Sequence, residues 1–204
     1  MTEEEAREWV RNRFDVSRET MLERFAAILI GESAQQNLIA ASTLDQIWTR
    51  HIVDSAQLIP LADVEGPWID IGSGAGLPGI IVAALTDREV TLVEPRGKRA
   101  EFLRTTAEAL GLTKVTVAAS RIETHKPAKR AAVISARAVA PLYELFAGAQ
   151  HCTDSSTIWL LPKGRNAESE VELARGAWQG VFHVEPSITS PDSGIVVAHK
   201  VKPR

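Results

Sequence analysis

Ile69-Asp70-Ile71-Gly72-Ser73-Gly74-Ala75-Gly76-Leu77-Pro78-Gly79 decides the fold of this 204-residue chain. The stretch joins a β-branched run, Trp68 to Ile71, to a helix opened by Pro78-Gly79-Ile80, with proline near the first turn. A short apolar run that ends in a glycine-rich turn and enters a helix begins a βαβ unit, and open parallel sheets bind ligands at that turn. Glycines permit the tight turn and a close ligand approach, while the helix N-terminus offers free N–H groups.

The same grammar continues downstream. Val90 to Val93 predicts a second strand, followed by a helix from Gly97 to Leu110 that Gly111 closes. Val115 to Val117 and Ala131 to Ile134 predict two more strands, Leu142 to Gln150 a helix, Thr157 to Leu161 a strand and Ala167 to Trp178 a helix. Two last strands, near Val181–Val184 and Ile195–Val201, are separated only by a Pro/Ser/Gly turn and therefore pair antiparallel. Upstream the pattern is helical. Asp15-Val16-Ser17 caps a segment from Arg18 to about Ile30, and Ser42-Thr43 starts a helix through Leu44, Ile47, Trp48, His51, Ile52 and Ser55 to Leu58, where Pro60 stops it. The expected architecture is α/β: a doubly wound, Rossmann-like sheet over residues 63–204 with an antiparallel C-terminal edge, and a helical extension over residues 1–62 packed on it.

Composition narrows the class. With 45% apolar and 24% charged residues the chain is globular, not disordered. Its single cysteine, Cys152, excludes an internal disulfide and a multi-cysteine zinc site, and suits a reducing compartment. The acidic start Met1-Thr2-Glu3-Glu4-Glu5 is no secretory signal, and runs such as Ile80 to Leu85 fall far short of the roughly 20 residues that cross a bilayer. A cytoplasmic monomer without membrane contact is expected. The five histidines share no ligand spacing, so no metal site is expected. The net charge of −3 hides an asymmetry: residues 1–93 sum to −8, whereas residues 94–137 hold 10 bases against 4 acids, a net of +6. A basic middle on an acidic chain suits phosphate contact, although a solvated helix face produces the same count. Aromatics at 5% exclude extensive base stacking.

Three ligand classes use such a turn. A P-loop needs Lys and Ser/Thr after its second glycine, and Ile80-Ile81 stands there, so it is excluded. Gly74-Ala75-Gly76-Leu77-Pro78-Gly79 meets the dinucleotide pattern literally, with Glu94 placed for ribose hydroxyls. The third class is S-adenosylmethionine. Asp70 suits its ammonium or an amide network better than a pyrophosphate, and Glu94 suits a ribose diol.

The decapeptide 70–79 resembles the first motif of the bacterial small-subunit rRNA guanine-N7 methyltransferases, the glucose-inhibited division protein B family. Further pieces appear in the same order: Asn37-Leu38, Arg50-His51-Ile52-Val53-Asp54-Ser55, Gly97-Lys98-Arg99 with Phe102-Leu103, Ser120-Arg121-Ile122-Glu123, Ser135-Ala136-Arg137-Ala138 and Lys163-Gly164. The resemblance spans roughly residues 14 to 201. It departs at Glu32 and Ser33, where the family has Trp-Asn.

The resemblance implies a class I methyltransferase sheet and methyl transfer from S-adenosylmethionine to N7 of guanine 527, in 16S rRNA or the small ribosomal subunit. Guanine N7 carries a free lone pair, so no dedicated general base is expected. Cys152 is expected to be a small apolar residue, not a nucleophile. The resemblance places Asp70, Gly72, Gly74 and Gly76 at the methionine end of the cofactor with Leu77 closing over it, Glu94 on the ribose, and Ile122 and Glu123 on the adenine. Arg137 borders cofactor and base and is the one candidate catalytic residue, with cofactor binding preferred. Arg96, Lys98, Arg99, Lys126, Lys129, Arg130, Lys163 and Arg165 are candidate phosphate contacts. Arg50 and Asp54, four apart, are expected to pair on a helix surface. Two other readings remain at this stage: a nicotinamide-dependent dehydrogenase, and a non-catalytic RNA-binding assembly factor that keeps the pocket as structure.

Overall fold

A computed structural model describes residues 1–204. Seven strands build one sheet: β1 (Trp68–Ile71), β2 (Val90–Val93), β3 (Val115–Ala118), β4 (Val133–Ala136), β5 (Ile158–Gly164), β6 (Trp178–Pro186) and β7 (Gly194–Pro203). Their order is β3-β2-β1-β4-β5-β7-β6. The first five run parallel; β7 lies antiparallel between β5 and β6. The chain winds outward in one direction from β1 and in the other from β4, so the two central strands flank the switch point where a doubly wound sheet opens a crevice.

Alternation along the strands divides the core. Trp68, Leu92, Val133, Leu160 and Val197 face the side covered by α1 (Glu3–Phe14), α2 (Val16–Gln36), α4 (Gly79–Leu85) and α5 (Gly97–Ala109). Ile69, Ile71, Ile134, Trp159 and Val196 face the side covered by α6 (Leu142–Ala149) and α7 (Ala167–Arg175). β1 is buried at all four positions, and Asp70 is the one polar side chain it carries inward. The N-terminal helices are bolted to the first face: Arg18 donates to the Ala84 carbonyl at 2.6 Å and Arg24 to that of Ala109 at 2.6 Å. No helix is long and apolar enough to cross a membrane.

Several boundaries differ from the sequence reading. The region 42–58 is no single α-helix. It comprises a 3-10 turn (Ala41–Gln46), a π-helical stretch (Trp48–Val53) and a short α3 (Asp54–Ala56). The Glu3 carboxylate, reaching across from α1, accepts from Trp48 N at 2.9 Å and Thr49 N at 2.8 Å, so the start of the π stretch is bonded to another helix. α2 runs to Gln36 rather than Ile30, with Asn37 in the left-handed region as its cap. β4 begins at Val133, because Ala131 N is diverted to the Cys152 carbonyl at 2.8 Å. Trp178 starts β6 instead of ending α7, and its ring sits 5.6 Å from Phe146 in the core.

Candidate active site

The glycine turn leaves β1 beside Asp70. That carboxyl is fully buried; it accepts from Ser135 Oγ at 2.7 Å and from Gly79 N at 3.2 Å, while Ser135 Oγ accepts from Trp68 Nε1 at 2.8 Å. Burial pushes its pKa up to about 6, against the pull of the Ser135, Ser73 and Gly79 hydrogen bonds. Asp70 thus ties β1, β4 and the start of α4 together beneath the turn, which is an amide and hydroxyl network, not an open anion. Gly79 has no space for a side chain: a Cβ would lie 2.2 Å from Leu92 Cδ2 and 2.8 Å from Asp70 Oδ2. Gly72 has φ +65°, and a Cβ there would stand 2.7 Å from Val139 Cγ2.

Above the turn, Glu94 ends β2. It is 3% exposed, and its two oxygens accept from Gly74 N at 2.9 Å and Arg96 N at 2.8 Å. Held this way, each carboxylate oxygen keeps acceptor capacity toward a ligand hydroxyl. A cavity of about 280 Å³ opens at this point, lined by Gly72, Glu94, Arg99, Arg121, Ile122 and Val139 among others, with Glu123 at its edge. Gly72, Glu94, Ile122 and Glu123, all singled out from sequence, therefore meet at one cavity. Gly76 and Leu77 do not meet there. Leu77 is buried in the α4 side of the core, and a Cβ on Gly76 would strike Ile80 Cγ1 at 2.6 Å, so these two residues shape the turn from below.

A second cavity, of about 480 Å³, adjoins the first across Ala138 and Val139, and is bounded by Asp54, Arg137, Lys163, Glu170 and Ser187 among others. Ala138 sits at φ +55°, a conformation that a non-glycine residue adopts only when its surroundings impose it. Arg137 faces this second cavity and does not line the first. Its Nη1 donates to Asp54 Oδ2 at 3.1 Å and to the Arg50 carbonyl at 3.2 Å, and its Nη2 lies 3.3 Å from His51 Nδ1. The expected Arg50–Asp54 surface pair is therefore not made: Asp54 is turned inward to Arg137, 83 residues away, and to Thr189 Oγ1 at 2.9 Å. Burial, then the cations of Arg137 and Arg50, hold the His51 pKa down at about 4.

The candidate phosphate contacts divide into groups. Arg96, Lys98 and Arg99 surround the start of α5, at the carboxyl ends of the strands beside the first cavity. Lys126, Lys129 and Arg130 lie at the opposite, amino ends of the strands, where Lys129 pairs with Glu89 at 3.2 Å. Lys163 is buried, bonded to Glu170 at 3.0 Å and to the Ala140 carbonyl, so it closes the second cavity wall. Arg165 pairs with Asp192 at 2.8 Å on the surface. Sequence reading gave no site role to Arg121 and Val139 in the first cavity, to Asp54 and Glu170 around the second, or to His51 on Arg137. Arg121, His51 and Asp54 each stand within a family piece quoted above, which was their signal; nothing local marks Glu170.

Comparison with known proteins bears on the family and on the fold. The family model for rRNA small subunit methyltransferase G matches residues 18–191. The chain is 52% identical over 210 residues to ribosomal RNA small subunit methyltransferase G of Rhizorhabdus wittichii, covering 100% of this chain and 95% of that protein. Its identity to the same-named protein of Zymomonas mobilis is 48% over 215 residues, covering 100% and 96%. Among solved structures, a glycopeptide N-methyltransferase complexed with S-adenosyl-L-methionine has a TM-score of 0.60 at 14% identity, covering 73% of this chain and 94% of its own. A predicted O-methyltransferase from Agrobacterium tumefaciens has a TM-score of 0.59 at 24% identity, covering 74% and 80%. These two likenesses concern the fold.

Proposed function

The chain belongs to the rRNA small subunit methyltransferase G family, and from that premise we propose that it transfers a methyl group from S-adenosylmethionine to N7 of guanine 527 in 16S rRNA. The observation that carries the reading is the meeting of two cavities at Ala138–Val139, one floored by the glycine turn and Glu94, the other walled by Arg137 and Asp54. The first fits the cofactor: Gly72 lets the backbone come close, Glu94 presents a fixed acceptor for a diol, and Ile122 with Glu123 borders the far end. When bound, S-adenosylmethionine supplies a methyl group activated by its sulfonium.

The chain's part is to orient and to screen. Guanine N7 attacks through its own lone pair, so no residue needs to remove a proton. Val139 and Ala138 stand between the cavities and set the line along which the two reactants meet. The product base is cationic, and an uncompensated arginine beside it would oppose the transfer. Here Asp54 neutralises Arg137, and Glu170 neutralises Lys163, so the second cavity presents directed donors without a net positive charge from these pairs. Arg137 is thereby assigned to the target side, a change from the cofactor role preferred on sequence grounds. The reading includes a monomer acting in the cytoplasm.

The test is transfer of labelled methyl to small-subunit RNA lacking the mark, followed by borohydride–aniline cleavage. A single cut at guanine 527 is expected. Label without a cut discards the N7 assignment, and no label on RNA or on assembled subunits returns the chain to a binding role.

A further inference from the structure

We propose that His51 is a positioning residue for Arg137, and that the N-terminal helical extension acts on the reaction through it; this rests on the methyl-transfer reading above. The argument begins with donor and acceptor roles. A guanidinium can only donate, so the contact at 3.3 Å between Arg137 Nη2 and His51 Nδ1 requires the lone pair on Nδ1 and the proton on Nε2. His51 Nε2 lies 2.8 Å from Thr43 Oγ1, which accepts that proton and itself donates to the Ala40 carbonyl at 2.7 Å. The direction Arg137 to His51 to Thr43 to Ala40 follows without a choice at any step. The ring is 8% exposed. Burial and the nearby Arg137 and Arg50 cations keep it neutral at physiological pH, and a neutral imidazole is the only form able to accept here.

The third contact decides the geometry. Both other partners, Asp54 Oδ2 and the Arg50 carbonyl, sit on Nη1 at one tip of the planar guanidinium. His51 holds the other terminal nitrogen, so both tips of the fork are anchored. Nε–H and one Nη2 hydrogen then have no protein partner, on a side chain that borders the 480 Å³ cavity. These are the donors left for the target nucleotide, and they are oriented before it arrives. His51 itself touches none of the reacting atoms.

Three variants separate positioning from bulk structure: His51→Ala, His51→Asn, whose Oδ1 stands near the place of Nδ1, and Thr43→Val. Methyl transfer to RNA, cofactor binding and thermal unfolding are measured for each. His51→Ala should lower kcat at least about tenfold with cofactor Kd within about twofold, and His51→Asn should recover to within about threefold of wild type. Thr43→Val should fall between them, because the tautomer is then free to flip. Equal losses in the Ala and Asn variants, or losses that track unfolding, overturn the proposal. An independent reading comes from imidazole nitrogen NMR of the wild type at pH 7, assigned by the signal missing in His51→Asn. The Nε2–H tautomer is expected, and an Nδ1–H signal overturns the proposal whatever the activity. A wild type that carries no label to RNA would sink the function and leave the tautomer result to stand alone.

Discussion

Both ends of the sheet carry bases from the same segment of the chain, in different company. At the carboxyl ends, Arg96, Lys98, Arg99, Arg121 and Arg137 encircle two adjoining cavities, while Glu94 and Asp54 bind backbone N–H groups and Arg137. At the amino ends, Lys114, Lys126 and Lys129 stand with Glu89, Asp87 and Glu65 around two further cavities, of about 550 and 640 Å³. In sequence these bases form one segment with a net of +6. In space, strands of four residues separate them by roughly 13 Å, and only the carboxyl ends combine the Gly72-Ser73-Gly74 turn with the buried Glu94 and a strained Ala138. A charge count along a chain therefore does not say which end of a sheet its bases reach; the direction of the parallel strands does.

The largest effect should follow Arg137→Ala. Charged hydrogen bonds worth about 3 kcal/mol would be lost, and transfer should fall on the order of 100-fold while cofactor affinity changes little. Calorimetry showing lost cofactor binding instead would return Arg137 to the first cavity. Next, Gly72→Ala should weaken cofactor binding about tenfold or more, since it combines φ +65° with a contact at 2.7 Å to Val139. Gly97→Ala, with nothing within 4 Å, should be nearly silent, and equal effects would remove the special place of the turn.

The contrast between ends is sharpened by salt. Replacing Arg96, Lys98 or Arg121 by Gln should each lower the slope of log affinity for RNA against log salt by about 0.7–0.9, whereas Lys126, Lys129 and Arg130 variants should leave it unchanged. Equal slopes from both groups would break the comparison. The effects of pH oppose each other in the wild type. His51 is neutral in the fold down to about 4 but protonates near 6.5 when unfolded, so stability is lost as pH falls through that window. Asp70, raised from 3.8 to about 6, takes its proton in the fold first, so stability is gained as pH falls from 6 to 3.8. The two oppose each other over nearly the same range. Unfolding free energies from urea titration should fall with acid for Asp70→Asn and rise for His51→Asn, by about 2 kcal/mol each between pH 7 and 4.5. Curves parallel to wild type in both variants would refute the pair.

Where local chemistry decides, the sequence was readable. The exit turn of β1, the acid ending β2 and the terminal hairpin follow from glycine spacing, strand period and connection length. The region 42–58 was not readable, because Leu44, Ile47, Trp48 and Ile52 keep a helical period whatever ring the backbone bonds close. The start of the π stretch is instead bonded to Glu3, more than forty residues away. Arg50 and Asp54 have ideal spacing for a pair, yet Arg137, just past the end of β4, outcompetes it. Lys163 looked like a free cation because its owner, Glu170, is identified only once α7 packs back on β5.

The hairpin's connecting loop completes the second cavity: Ser187 and Gly194 line it, and Thr189 bonds Asp54 while Ile188 N donates to Gln57 Oε1 at 2.9 Å. A growing polypeptide would therefore possess the residues that line its first cavity, which end at Val139, well before it possessed those that close the second. The second cavity is thus completed late in synthesis, when the loop before the final strand has folded back on α3.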